Sequence, residues 1–314
     1  MPKIDRSAFD EIPTKNMTLL RGGQPPAAPV LFVHIPKTAG TALFALAAKV
    51  YGRIPGHLGP KILRLPMNWA EFEDRADVGA LLAQCDDRRI SFVSGHCSHR
   101  IRDLLPFDPI TISLLRQPVF RVVSAYDNMR RDPINDFHET AKRMSLREIL
   151  EQRMMPELEN GQVRRIAGLA PDIGPLNREH LEVAKRNIDQ DYSVVGLTER
   201  FDETVELLRI HLHWPRKGYM PWNIAPKKIA GTKLSTEMLE LIENRNKLDV
   251  HLYEYATQRF DRQIASLQPE FDISVRRTRR YNQRVYRHWH NWAARPFRNL
   301  KRALRRRQWG EGKL

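Results

Sequence analysis

Three residues in this 314-residue chain stand where anion chemistry would want them. In "HIPKTAGTAL", Lys37 lies at the point where an apolar run stops and a segment of helical composition starts. A strand running into such a turn and helix gathers the backbone N–H groups of residues 38–42 around one point. Amide donors and the helix dipole together hold a phosphate there. Gly40 permits close backbone approach, Thr38 and Thr41 add hydroxyls, and Lys37 adds a mobile cation. The order is not that of a Walker A loop, because GxxxxGK[ST] is absent and the lysine precedes the glycine. The competing reading is an ordinary strand-to-helix turn with a surface lysine. A second stretch, "ITISLLRQPVFRVVSAY", ends an apolar run in Arg116 and carries Ser124 about two turns into the segment that follows Pro118. An arginine at a strand's carboxyl end and a serine on the next helix grip a phosphate from two sides. Two anion sites at one sheet edge suit a single ligand with two separated phosphates.

Such a site needs a sheet beneath it. The runs "VLFVHI" (30–35), "ISFVSG" (90–95), "ITISLL" (110–115) and "YSVVGL" (192–197) are short and rich in β-branched or aromatic residues. They are near-continuous rather than alternating, the pattern of strands buried on both faces, and this predicts a parallel sheet covered by helices. Helices are predicted over Thr41–Tyr51 and Pro118–Arg131, the second with proline at its first position. Ser145 and Glu148 have capping-box spacing, and Asn177, Asp202 and Ser235 are predicted N-caps of the helices that follow them. The sum is an α/β domain with a central parallel sheet flanked by helices over 30–267. Its ligands are expected beyond the carboxyl ends of the strands. A lead-in, 1–29, precedes this domain and includes the turn-rich "RGGQPPAAP"; an extension, 268–314, follows it.

"HIPKTAGTAL" resembles the 5′-phosphosulfate-binding loop of sulfotransferases that use 3′-phosphoadenosine-5′-phosphosulfate (PAPS). "LLRQPVFRVVSAY" resembles their 3′-phosphate-binding motif. The similarity is to the carbohydrate sulfotransferases, in particular the branch containing the heparan sulfate 2-O-sulfotransferases. "FVSGHCSHRI" and "YSVVGLTERFDETVELL" match further segments of that branch, in the same order, so the resemblance runs from Leu31 to Phe260. It implies a P-loop-NTPase-like sulfotransferase fold, PAPS as sulfate donor, no metal, and a carbohydrate or glycolipid acceptor. By the same resemblance Lys37 meets the bridging oxygen of the phosphosulfate. Thr38, Ala39, Gly40, Thr41 and Ala42 line the 5′-phosphate, Ala42 replacing a frequent serine and keeping only its N–H. Arg116 and Ser124 take the 3′-phosphate. Gln117 replaces a more usual acidic residue, which is expected to weaken a helix cap.

The implied reaction is in-line sulfuryl transfer to a hydroxyl, in which positioning and charge stabilisation do most of the work. The expected general base is His96, at the end of the run 90–95 and matching the histidine of the family's Gly-His segment; His99 is its nearest rival. Asn160, Gln162, Arg164 and Arg165 in "ENGQVRRIAGL" align with a segment that faces the acceptor in related enzymes, although a solvated helix face explains Arg164 equally well. Trp222 and Asn223 suit either a loop over the nucleotide or packing on the core.

The formal charge of +15 is unevenly spread. Between Ile273 and Leu314, twelve Arg and two Lys face the single acid Glu311, so this stretch carries +13 of it. Arginines interleaved with Tyr281, Tyr286, Trp289, Trp292, Phe297 and Trp309 suit an anionic membrane surface. They equally suit a solvated helix or one packed on a second subunit, with Pro296 as a break. No recognition fold for nucleic acid accompanies them. Cys85 and Cys97 form neither a CxxC nor a Cys/His metal spacing. The absence of an apolar leader and of an apolar run of about 18 residues predicts a cytoplasmic location, peripheral on the inner face of the membrane if the tail binds lipid. The alternative to an enzyme is a catalytically silent nucleotide- or polyanion-binding protein that works through the basic tail. A kinase is disfavoured by the missing Walker pair.

Overall fold

The computed structural model describes residues 26, 28–52, 62–65, 90–170, 173–219 and 234–285. Trp222 and Asn223, Cys85 and the tail beyond 285 lie outside the described residues. The expected strands are present as Val30–Val33 (β1), Phe92–Gly95 (β3), Ile110–Leu115 (β4) and Tyr192–Leu197 (β5). A further strand, Ile62–Arg64 (β2), pairs with β3; its three residues are too few for a periodic signal. Among the described residues all pairings are parallel and the order is β2-β3-β1-β4-β5. Every residue of β1 and β4 is buried, which explains their unbroken apolar character. Burying a side chain such as Phe32 or Leu31 this completely contributes roughly 1.5–3 kcal/mol each.

Because the sheet is wholly parallel, every strand delivers its carboxyl end to one edge. From β1 the chain leads to β2 on one side of the sheet, whereas from β4 it leads to β5 on the other. The two connections diverge between β1 and β4, the position where such sheets bind ligands. The helices after these two strands are Gly40–Tyr51 (α1) and Pro118–Arg131 (α3), α3 with the bounds expected from its sequence. Between β3 and β4 lies the short Ile101–Leu104 (α2).

After α3 come His138–Arg143 (α4), Leu146–Glu151 (α5), a 3-10 turn at Pro156–Leu158, Gly161–Ile166 (α6) and Arg178–Asp191 (α7). The capping boxes at Ser145 and Asn177 form as expected, the second closed by His180. Phe201–His211 (α8) follows β5, then Thr236–Arg245 (α9), capped by Ser235, and Lys247–Ala265 (α10). Asp202 is not the N-cap of α8. A 3-10 turn at Thr198–Arg200 starts the coil earlier, and Asp202 lies inside the first turn, accepting from the Tyr219 hydroxyl and Arg279.

Two packed regions support the site. One centres on the sheet, where Tyr51, Phe92 and Trp214 form an aromatic cluster and the Trp214 indole N–H donates to the Tyr51 hydroxyl at 3.0 Å. The other lies between α3, α5 and α9, built on Val122, Ile149, Leu158 and Ile242. A further helix over 270–285 (α11) belongs to the first region. Its Phe271 and Val275 are core residues, and Ser274 and Thr278 donate to the buried Glu206 of α8. The start of the expected extension therefore packs on the sheet domain. Among the described residues no helix is long and apolar enough to cross a membrane.

Candidate active site

The turn between β1 and α1 is built from strained backbone. Lys37 and Ala39 have φ of 70° and 65°, left-handed values that non-glycine residues adopt at a cost of order 1–3 kcal/mol. Two bonds hold the turn: the Thr38 hydroxyl donates to the Ile35 carbonyl at 2.8 Å, and Arg116 Nη1 donates to the Lys37 carbonyl at 3.0 Å. Ala39 serves as N-cap of α1 without a side-chain bond. Among the described residues, the amides of residues 38–41 have no hydrogen-bond acceptor. Four donors beside a helix N-terminus suit an anion. Two expectations change here. The Thr38 side chain is fully buried and its hydroxyl is used within the turn. The Ala42 amide donates to the Ala39 carbonyl at 3.0 Å and is not spare.

Gly40 is required by packing as well as by approach. A Cβ at this position would sit 2.0 Å from Cδ2 and Nε2 of His34, so the His34 ring lies directly against the start of α1. Lys37 Nζ donates to Asn128 Oδ1 at 3.0 Å. Burial, followed by the cations Arg131 and Arg116, holds its pKa below the ordinary lysine value, against the opposing pull of Asp127 and Asp132.

Arg116 follows β4 with its side chain nearly buried. Its backbone is clamped on both sides by Gln162: the Arg116 N–H donates to Oε1 at 2.9 Å, and Gln162 Nε2 donates to the Arg116 carbonyl at 2.9 Å. Glu199 approaches the guanidinium at 4.0 Å. Gln117 does not weaken the cap of α3. Its side-chain oxygen accepts from the Phe120 N–H at 3.0 Å, the role an acid would have filled, and Pro118 needs no partner. Ser124 is half-buried, one helical step of four before Asn128, so both lie on the α3 face that meets Lys37.

At the end of β3, His96 is half-buried, and its carbonyl accepts from Arg165 Nη1 at 2.7 Å. Its ring meets the His34 ring edge-on, with centroids 4.5 Å apart and planes at 70°. His99 is buried with both ring nitrogens engaged, Nδ1 at 3.3 Å from the Tyr192 hydroxyl and Nε2 at 3.3 Å from Asp191. His99 is thus committed to partners within the fold. Burial pushes the Cys97 thiol up to about 12, which leaves it unreactive.

Beneath the site runs a buried polar network that no short motif announces. Asp249 on α10 accepts from the Gln162 and Val163 amides at 3.1 and 2.8 Å and so caps α6. Asn160, in a left-handed conformation ahead of α6, returns the bond by accepting from the Leu248 and Asp249 amides at 3.0 and 3.2 Å. The two helix starts cap each other. Arg121 lies 3.7 Å from Asp249 and donates to Glu157 at 3.0 Å; Glu157 in turn holds Arg165 at 2.9 Å. Asn160, Gln162 and Arg165 are therefore buried and bonded within this network beneath Arg116 and His96. Arg164 is likewise no solvated residue: it is 3% exposed and donates to the Ile173 and Gly174 carbonyls.

Comparison with known proteins identifies a family and several similar solved structures. The galactose-3-O-sulfotransferase family model matches residues 10–291. Among solved structures, a mouse sulfotransferase, SULT7A1, complexed with PAP is similar at 15% identity and a TM-score of 0.38, covering 85% of this chain and 95% of its own. No curated protein sequence matches the chain.

Proposed function

The chain belongs to the galactose-3-O-sulfotransferase family, and from that premise we propose that it moves the sulfuryl group of PAPS onto a carbohydrate hydroxyl at the edge shared by β1, β3 and β4. The observation that carries this reading is the direct bond from Arg116 to the Lys37 carbonyl, which fixes two anion-binding elements side by side. The amides of residues 38–41 would hold the 5′-phosphate. Arg116 and Ser124 would hold the 3′-phosphate. Lys37 would leave Asn128 for the bridging oxygen, where negative charge grows as the S–O bond breaks. His96 would take the proton of the acceptor hydroxyl as its oxygen bonds to sulfur, and the electron pair of the broken bond stays with the departing nucleotide phosphate. The donor supplies an activated sulfuryl group; the chain supplies position and charge. The family name favours a galactose-terminated glycan or glycolipid as acceptor.

Calorimetry with 3′-phosphoadenosine 5′-phosphate (PAP) against 5′-AMP tests the donor site. PAP should bind at least about tenfold tighter, which corresponds to about 1.4 kcal/mol, and Arg116→Ala should erase the difference. Equal weak binding of both nucleotides would defeat the reading. Radiolabelled sulfate transfer over a panel of glycans and glycolipids then identifies the acceptor.

The tail supports a peripheral membrane role. On α11, Arg276, Arg277, Arg280 and Arg284 are exposed, and the basic sequence continues beyond them. Near an anionic surface each adds about 1 kcal/mol of attraction. Co-sedimentation with phosphatidylserine vesicles should exceed that with neutral vesicles; equal binding would reject this role.

A further inference from the structure

β1 and β3 are parallel and in register, Val33 opposite Gly95, so the next residue on each strand, His34 and His96, also stand side by side. The ladder continues one bond past β1, because the His34 N–H donates to the Gly95 carbonyl at 3.1 Å. The rings make an edge-to-face pair at 4.5 Å. The other surfaces of His34 are also occupied. It stacks on Phe32 with centroids 5.1 Å apart and planes at 14°, and it lies against Gly40, whose missing Cβ leaves room for the ring. One imidazole thus touches both the start of α1, where the candidate anion-binding turn ends, and the ring of the expected base.

We propose that His34 is a positioning residue for His96, fixing the orientation of that ring and opposing its protonation, so that the base stays neutral while the neighbouring turn holds the donor. The proposal rests on the reading of His96 as the base. Like charges a few ångströms apart in a half-buried setting repel, so the two imidazoles titrate as a coupled pair and resist taking a second proton. Among the described residues, the groups near the pair include Arg165, which donates to the His96 carbonyl, Glu157, which lies within electrostatic reach of His96, Lys37 on the following turn, and the neutral Cys97 thiol. Replacing His34 by a ring that cannot be charged removes one source of repulsion and leaves those groups in place.

The deciding experiment is ring NMR of histidine-labelled full-length chain between about pH 5 and 8, with His96→Gln used to assign the His96 signal. His34→Phe keeps a flat ring on Phe32 and Gly40. In it the His96 midpoint should rise by roughly half a pH unit or more. PAP affinity, measured on the same samples, should stay within about twofold of the parent, which shows that the fold is intact. His34→Gln, smaller and polar, should give the same direction of change. An unmoved His96 midpoint in a variant that binds PAP overturns the proposal. Transfer assays separate this result from the underlying reading. If His96→Gln turns over at the parent rate, the base assignment fails. If it abolishes transfer while both His34 variants leave kcat and the acid limb of the pH profile unchanged, only the role of His34 fails.

Discussion

Lys37 keeps its ammonium half-buried between two other cations, with Asn128 as its hydrogen-bond partner. Desolvation and like charge make that position costly for a cation, and an arriving phosphosulfate would offset both. The expected consequence is a division between binding and rate. Lys37→Ala should lower kcat by about 10²–10³, because the contact proposed for it would form mainly as charge develops on the bridging oxygen. PAP, which lacks the sulfuryl group, should bind with little change in calorimetry. A variant that lost PAP affinity and kept its rate would place Lys37 in ground-state binding instead. The reading of Lys37, Gly40, Arg116 and Ser124 came from short motifs whose chemistry is local. Asn128 and His34 were not legible in that way. An asparagine in mid-helix and a histidine at a strand end have no distinctive spacing, and only the approach of another element gave each a task.

At the scale of elements, the site depends on helices that cap one another. Asp249 closes the N-terminus of α6, Asn160 closes that of α10, and Gln162 on α6 then fixes the backbone of Arg116. Burial alone would raise the Asp249 carboxyl, and it remains raised despite Arg121 and the two amides it accepts from. Such a group is costly to hold and costlier to remove. Asp249→Ala should destabilise the protein by about 3–5 kcal/mol, since Arg121 loses a buried counter-charge and α6 loses its cap. Urea unfolding measures this, and a change below about 1 kcal/mol would show that Glu157 alone satisfies Arg121. Sequence indicated a helix in this segment but assigned its polar residues outward. The helix is short and every residue of it is buried, so amphipathic reasoning had no solvent face to find.

At the scale of the whole molecule, α11 joins the end of the described chain to α8 through Glu206. This carboxylate is fully buried; desolvation raises its pKa, and bonds from Arg209, Ser274 and Thr278 more than reverse that, leaving it below the ordinary value. The same net direction holds for Glu157, where Arg165 and Arg121 outweigh burial. A carboxyl with a depressed folded pKa contributes stability above its unfolded pKa of about 4.3 and loses it as pH falls through the folded value. Asp249, with a raised pKa, acts in the opposite sense. Stability should therefore fall on acidification below about pH 4, and Glu206→Gln should make that fall shallower while lowering stability at neutral pH. Urea midpoints measured from neutral to acid pH check both, and parallel curves for parent and variant would remove Glu206 from the account.

The sequence by itself determined the class of fold and which segments lie at the carboxyl edge of the sheet. Continuous apolar runs require a parallel sheet, a parallel sheet sends all strand ends to one edge, and "IPKTAGT" and "LLRQPVF" sit on those ends. Local caps at Ser145, Asn177 and Ser235 were readable for the same reason, since each depends on residues a few positions apart. What only the tertiary structure decided is partnership over long separation. His99 was given Tyr192 and Asp191 as partners, and Arg164 and Arg165 were turned inward by carbonyls and a carboxylate that folding brings to them. The start of the basic extension was drawn into the core by two apolar residues and a buried glutamate. A polar side chain's role depends on whether burial leaves it water or a specific partner, and that choice is made by contacts between elements that no local spacing encodes.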